Sequence, residues 1–182
     1  MDFLPTEIEG VFIVTPRVFE DDRGSFFETY NQAEFERAGF SYMFVQDNQS
    51  FSRYGTIRGL HFQKGEAAQA KLVRVLRGRV LDVAVDLREG SPTFGKHVTV
   101  ELSDENKKML LIPRGFAHGF GVLSETAVFA YKCDNHYAPG TEGGIRYDDP
   151  ALGIDWRLPQ NDVFVSGKDA RHPMFEDFRP CF

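Results

Sequence analysis

The chain predicts a mainly β protein, a sandwich or barrel of many short strands with one short helix near the N-terminus and a C-terminal end of loops and short helices. Three observations carry this. Apolar residues alternate, or run in short stretches, along most of the chain. Gly and Pro interrupt them at close intervals, as at Arg77-Gly78, Gly90-Ser91-Pro92, Pro113-Arg114-Gly115 and Pro139-Gly140, which suits hairpins and crossing loops. The length of 182 residues, with 42% hydrophobic residues and 18 Phe, fits one domain over residues 1–182 with a substantial core.

Taken in order, strands are expected in VFIVTPRVF from Val11, GSFFETY from Gly24, KLVRVL from Lys71, RVLDVAVDL from Arg79, HVTVEL from His97, MLLIP from Met109 and AVFAYK from Ala127. One helix fits Asn31 to Ala38: Asn31 can cap it, Glu34 lies three residues on, and Phe35 and Ala38 share a face. From DDPALGIDWRLP onward the chain is turn-rich, and Trp156 is the expected anchor of a segment wrapped over the strands.

Strand period two sorts the side chains. Leu81, Val83, Val85 and Leu87 share one face, read as core, opposite Asp82 and Asp86. Lys71 shares a face with Val73 and Val75, so its ammonium either sits over a partly apolar cavity or snorkels to water. Tyr131 shares parity with Ala127 and Phe129, which turns its ring inward and Lys132 outward; the phenol then needs a hydrogen-bond partner, from the backbone or from a ligand.

A formal charge of −6 argues against a generic nucleic-acid binder, which needs a basic stripe to displace counterions. Cys133 and Cys181 form no CxxC pair, so a disulfide framework is not expected and a reducing cytoplasm is. MDFLPTEIEG carries acids where a signal peptide needs basic residues and then an apolar run, and no apolar stretch approaches the ~20 residues of a membrane span.

Two histidines raise the question of a metal. Gly55, His61, Gln63 and Glu66 follow the spacing of the first cupin motif, except that Gln63 stands where cupins carry a second histidine; Pro113 to His118 resembles the second motif, PxGxxH. The resemblance to cupins implies a jelly-roll barrel. Losing one imidazole leaves His61, Glu66 and His118 with a weak amide donor, so no metal is expected, and a metal-dependent cupin enzyme stands as the alternative. His97 and His136 lie in polar surroundings and are expected to be exposed, and His172 sits beside Pro173 in a loop.

Beyond these motifs, DDRGSFFETY, FVQDNQSFS, TIRGLHFQ, AKLVRVLRGRVLDVAVDLR, GSPTFG, IPRGFAHGF, FAYKCDNHYAP and GIRYDDPALGIDW occur in one order across residues 8–173. In this the chain resembles the dTDP-4-dehydrorhamnose 3,5-epimerases. That family inverts the carbons flanking the ketone of a dTDP-linked 4-keto-6-deoxy sugar without cofactor or metal. The resemblance implies that His61 is the base, Asp169 its orienting carboxylate, Lys71 the group near the keto oxygen and Tyr131 the proton donor. It places Arg58 and His118 at the sugar or phosphate end of the pocket. It gives nucleotide recognition to Arg23, Phe26, Glu28, Gln46, Asp47, Asn48, Tyr137, Glu142 and Lys168, with Arg23 otherwise free to pair with Asp21 or Asp22 on a turn. It also implies a homodimer in which an N-terminal strand crosses to the partner, so that Arg23 and Glu28 serve the neighbouring site. Whether one or both carbons are inverted stays open, as does a non-catalytic sugar-binding jelly roll.

Overall fold

A computed structural model describes all residues, Met1–Phe182. In chain order the strands are β1 (Asp2–Pro5), β2 (Phe12–Thr15), β3 (Phe19–Asp21), β4 (Gly24–Phe26), β5 (Gln46–Arg53), β6 (Ile57–Gln63), β7 (Lys71–Arg77), β8 (Arg79–Asp86), β9 (His97–Ser103), β10 (Met109–Ile112), β11 (Phe116–Val122), β12 (Thr126–Cys133) and β13 (Glu142–Gly144). Helix α1 (Gln32–Arg37) lies between β4 and β5. Two sheets face each other, a six-stranded one in the order β1-β2-β10-β7-β12-β5 and a five-stranded one in the order β13-β6-β11-β8-β9, with β3 and β4 paired apart as a hairpin. Every strand pairing is antiparallel. This is the jelly-roll sandwich that the periodicity and the cupin spacing imply.

Apolar side chains gather in three layers. Val73 and Val75 of β7, Val80 and Ala84 of β8, Leu110 of β10, Phe116 and Phe120 of β11, and Phe129 of β12 meet between the sheets. Leu81, Val83, Val85 and Leu87 point the other way and pack under the C-terminal segment with Leu152 and Trp156. Outside the six-stranded sheet, Val14, Leu72, Met109 and Leu111 are covered by Phe35 of α1 and a belt of N-terminal aromatics. The face expected as core is therefore buried, but under an outer wrap. The other face of β8 is buried too and lines the sandwich interior, so Asp82 and Asp86 are both fully buried rather than solvated.

The helix forms where Asn31 can cap it. The Asn31 side chain accepts from the Ala33 and Glu34 backbone N–H groups at 3.1 and 3.4 Å, and Phe35 is fully buried. Ala38 is exposed, because α1 ends at Arg37 and Ala38 is already its C-cap. VFIVTPRVF divides into β2 and β3 at Pro16, whose missing N–H cannot extend a ladder. Trp156 anchors the C-terminal segment as expected: it is 7% exposed, and its indole Nε1–H donates to the Tyr147 carbonyl at 2.8 Å. Three 3₁₀ turns follow, at Gln160–Asp162, Asp169–Arg171 and Phe175–Asp177.

Five strands, β1, β5, β6, β11 and β13, lie outside the segments that periodicity marks, and for β5 and β11 the reason is physical. β5 reads QDNQSFSR: its inward residues Gln46, Asn48 and Ser50 are polar because they line cavities rather than a core, and Ser52 accepts from the Arg58 Nε–H at 3.0 Å. β11 is buried on both faces and carries Gly119 and Gly121 where neighbours press close, so it shows no alternation. No helix is long and apolar enough to cross a membrane.

Candidate active site

The site begins with an irregularity in β6. His61 lies opposite His118 of β11, yet Arg58 lies opposite Phe120, so three steps on β6 match two on β11. The extra residue shifts the alternation, and Arg58 and His61 come to line one cavity although strict parity would separate them. Gly59 permits this. Its φ is +120°, and a Cβ there would lie 2.6 Å from the Gly119 Cα and 2.7 Å from the His118 carbonyl oxygen.

Asp169 approaches from the 3₁₀ turn of the C-terminal wrap. Its Oδ1 lies 2.9 Å from His61 Nε2, and its Oδ2 accepts from the Gly59 backbone N–H at 3.3 Å. Ser166 Oγ accepts from the Asp169 N–H at 3.0 Å and fixes the turn. Burial alone would raise the Asp169 carboxyl, but the His61 contact and these donors hold it down at about 2. A carboxylate accepts only, so His61 Nε2 carries the proton and Nδ1 keeps the free lone pair.

Lys71 and Tyr131 stand on the opposite wall, on the neighbouring strands β7 and β12 of the other sheet. The Lys71 ammonium lies 5.8 Å from the centroid of the Tyr131 ring, makes no ion pair, and is pushed by burial below the usual lysine range, with Cys133, Asp82 and Glu142 partly restoring it. The side chain therefore sits over the cavity rather than snorkelling away. Burial pushes the Tyr131 phenol up, and its hydroxyl is not taken by any backbone group, which leaves it for a ligand.

A second imidazole–carboxylate pair lies beside the first. His118, 6% exposed, places Nε2 at 3.1 and 3.0 Å from the two oxygens of Asp82, and burial draws its pKa down against the pull of Asp82. The cavity lined by Arg58, His61, Lys71, His118, Tyr131 and Asp169 measures about 360 Å³. A second space of about 320 Å³ adjoins it, sharing His61, Lys71 and Tyr131 and adding Gln46, Asn48, Tyr137 and Glu142. At its rim Lys168 Nζ pairs with Glu142 Oε2 at 2.5 Å, and Tyr137 donates to the same oxygen at 3.3 Å.

With this geometry in hand, the comparisons are specific. The model of the dTDP-4-dehydrorhamnose 3,5-epimerase family matches residues 5–177. The chain belongs to this family. It is 53% identical to the dTDP-4-dehydrorhamnose 3,5-epimerase of Salmonella typhimurium, over 97% of this chain and 96% of that one. It is similar in structure to the dTDP-4-dehydrorhamnose 3,5-epimerase of Elizabethkingia anophelis, with a TM-score of 0.94, 56% identity and 97% of each chain covered. It is also similar to the epimerase of Legionella pneumophila in complex with dTDP-4-keto-L-rhamnose, with a TM-score of 0.94 and 47% identity over 98% of this chain and 94% of that one.

In this family member the structure brings His61, Asp169, Lys71, Tyr131, Arg58 and His118 together in one cavity, and Gln46, Asn48, Tyr137 and Glu142 in the next, with Lys168 at the rim. Asp47 is not among them: it alternates outward from Gln46 and Asn48 and pairs with Lys132 at 2.9 Å. Arg23 and Phe26 sit on the β3–β4 hairpin, which lines a different depression and shares no residue with either cavity. Arg23 there grips Asp21 through both carboxylate oxygens, and Glu28 accepts from the Asn31 side chain at 3.1 Å. The cupin ligand set is not assembled either, since Glu66 is exposed on a 3₁₀ turn and Gln63 is used by Ala138 N–H and the Thr141 hydroxyl.

Several residues went unread. Strand parity sets Asp82 only opposite the apolar face of β8; that this second face is buried too, and pairs Asp82 with His118, is visible in the fold alone. His97 is half-buried rather than exposed, and that burial draws its pKa down. His172 packs edge-on to His61 with ring centroids 5.4 Å apart; its position three residues after Asp169 was the available signal.

Proposed function

We propose that this protein inverts the carbons flanking the ketone of dTDP-4-dehydro-6-deoxy-D-glucose, giving dTDP-4-dehydro-L-rhamnose, by proton transfer through an enolate. The observation that carries this reading is the His61–Asp169 pair on one wall of a cavity whose facing wall holds Lys71 and Tyr131. His61 Nδ1 takes the proton from the carbon beside the ketone, and the electron pair moves onto the keto oxygen. Lys71 stabilises that oxyanion in a partly desolvated site, where a placed charge counts for far more than in water. The Tyr131 hydroxyl delivers a proton to the opposite face of the same carbon, which inverts it. Solvent then removes the proton from His61 and returns one to Tyr131.

Arg58 and His118 position the sugar end, while Gln46, Asn48, Tyr137, Glu142 and Lys168 hold the nucleotide across the adjoining space. Arg23, Phe26 and Glu28 serve the site of a second copy in a homodimer. The 51% and 69% exposure of Phe19 and Phe26 on that hairpin supports a covered position there. The free thiols of Cys133 and Cys181 support action in the cytoplasm.

The test is proton NMR in deuterium oxide with the 4-keto-6-deoxy sugar nucleotide. Deuterium entering carbons 3 and 5 with appearance of the L-configured product is expected. Label at one carbon alone would make this a single-site epimerase, and binding without label would reduce it to a sugar-binding jelly roll. Activity lost on chelation and regained with metal would favour the cupin metalloenzyme.

A further inference from the structure

We infer that His61, Asp169 and His172 form a site for one divalent transition ion of the zinc class, and that its occupation switches the epimerase off. Of all His, Cys, Asp and Glu side chains, only these three gather so that one ligand atom from each lies within 4.8 Å of the others. Asp169 Oδ1 is 2.9 Å from His61 Nε2 and 3.7 Å from His172 Nε2. Tetrahedral zinc with bonds of about 2.0–2.1 Å needs its ligand atoms about 3.3 Å apart; the two Asp169 distances bracket that requirement, and the two imidazole nitrogens, within 4.8 Å of each other, complete the set by drawing in around the ion. Two imidazoles and one carboxylate with a fourth position open are a favourable donor set for such an ion.

A second observation points to a ligand. His172 Nε2 is buried and has no hydrogen-bond partner, although the side chain is only 11% exposed. Its ring is held in place: a Cβ on Gly144 would lie 2.5 to 2.6 Å from three atoms of the imidazole, so only glycine leaves room for it. Beyond it, the Arg146 N–H donates to the Pro173 carbonyl at 3.0 Å and ties the segment to the chain after β13. His172 lines neither cavity, so the substrate reading gives it no task.

The inhibitory half rests on the reading of His61 as the base. A metal on Nε2 displaces the proton shared with Asp169. The neutral imidazole then carries its one proton on Nδ1, the nitrogen that must hold a lone pair to accept from substrate. Metal binding and proton abstraction exclude each other at this residue. The ion is thus an inhibitor, and its site shares only His61 with the His61, Glu66 and His118 set of a metal-dependent cupin enzyme.

The experiment uses the full chain stripped with a chelator and titrated with Zn²⁺. One ion per chain by calorimetry is expected, and nitrogen-15 NMR of the histidines should show the His61 proton moving from Nε2 to Nδ1. Epimerase turnover should fall in step with occupancy and return with EDTA. His172→Phe keeps the ring shape and should turn over within about twofold of the parent while losing zinc inhibition by at least about tenfold, since removing a ligand costs no less than removing one of its supporting groups. His172→Gln, checked for folding by its thermal melt, should behave the same way. Zinc that binds without moving the His61 proton, or that inhibits both variants as strongly as the parent, overturns the inference. A moved proton in a chain with no epimerase activity would uphold the metal site and place the failure in the functional reading.

Discussion

Asp169→Asn is the most informative change, because the structure dictates how the amide must sit. Asp169 Oδ2 accepts from the Gly59 N–H and Oδ1 receives His61 Nε2–H. An amide offers one acceptor and one donor. If its oxygen faces His61, its NH₂ confronts the Gly59 N–H and leaves a buried donor unpaired, at a cost of about 1–3 kcal/mol. The amide therefore turns its oxygen to Gly59 and its NH₂ to His61, which forces the imidazole proton onto Nδ1 and blocks the base. The amide also removes the negative charge that steadies the imidazolium as it forms, so turnover should fall by ~10²–10⁴-fold, in line with what a positioned base supplies. Turnover by proton NMR, solvent deuterium exchange, and the His61 nitrogen shifts measure rate and tautomer together. Turnover within about tenfold of the parent, with the proton still on Nε2, would refute the dyad as the source of the base.

Tyr131→Phe should separate the two half-reactions: exchange of the substrate proton with deuterium persists while net inversion falls, and unchanged inversion would send the search to another donor. Lys71→Met should lower kcat by about 10²–10³-fold, the usual loss of one oxyanion stabiliser, and leave the chain as stable or more so in thermal melts, since a desolvated ammonium without an ion pair is costly. Asp86 and Asp169 both titrate at about 2 in the folded chain, Asp86 because Arg88, Ser91 and Thr93 outweigh its burial. Depressed folded-state values contribute stability that is complete above the unfolded carboxylate range and disappears as pH falls through the folded values, so melting temperatures should hold from pH 7 to about 5 and fall steeply between about 4 and 2. Asp86→Asn should flatten that slope, and an unchanged slope would remove Asp86 from the acid response.

Much of this protein was written in its local pattern. Alternation in KLVRVL and TAVFAYK aims Lys71, Val73 and Val75, and Phe129 and Tyr131, into one interior, because a pleated strand leaves each side chain no choice of face once its neighbours are buried. Asn31 marked the helix start, and the turn-rich tail with one Trp marked a wrapping segment. Other features depended on what lies across the fold. Nothing in RVLDVAVDL shows that both faces of the strand are covered, so the pattern does not reveal Asp82 as the buried partner of His118. Nothing in TIRGLHFQ shows the extra residue at Gly59, since the shift exists only relative to β11. His172 meets His61 only because the tail folds back over it, a contact between residues more than 108 positions apart that local sequence has no means to express. Sequence by itself determined which faces of the strands are apolar and which residue types can carry proton chemistry. Tertiary structure alone decided which of them meet, because distance between side chains is set by how sheets stack and cross, and strand periodicity is blind to both.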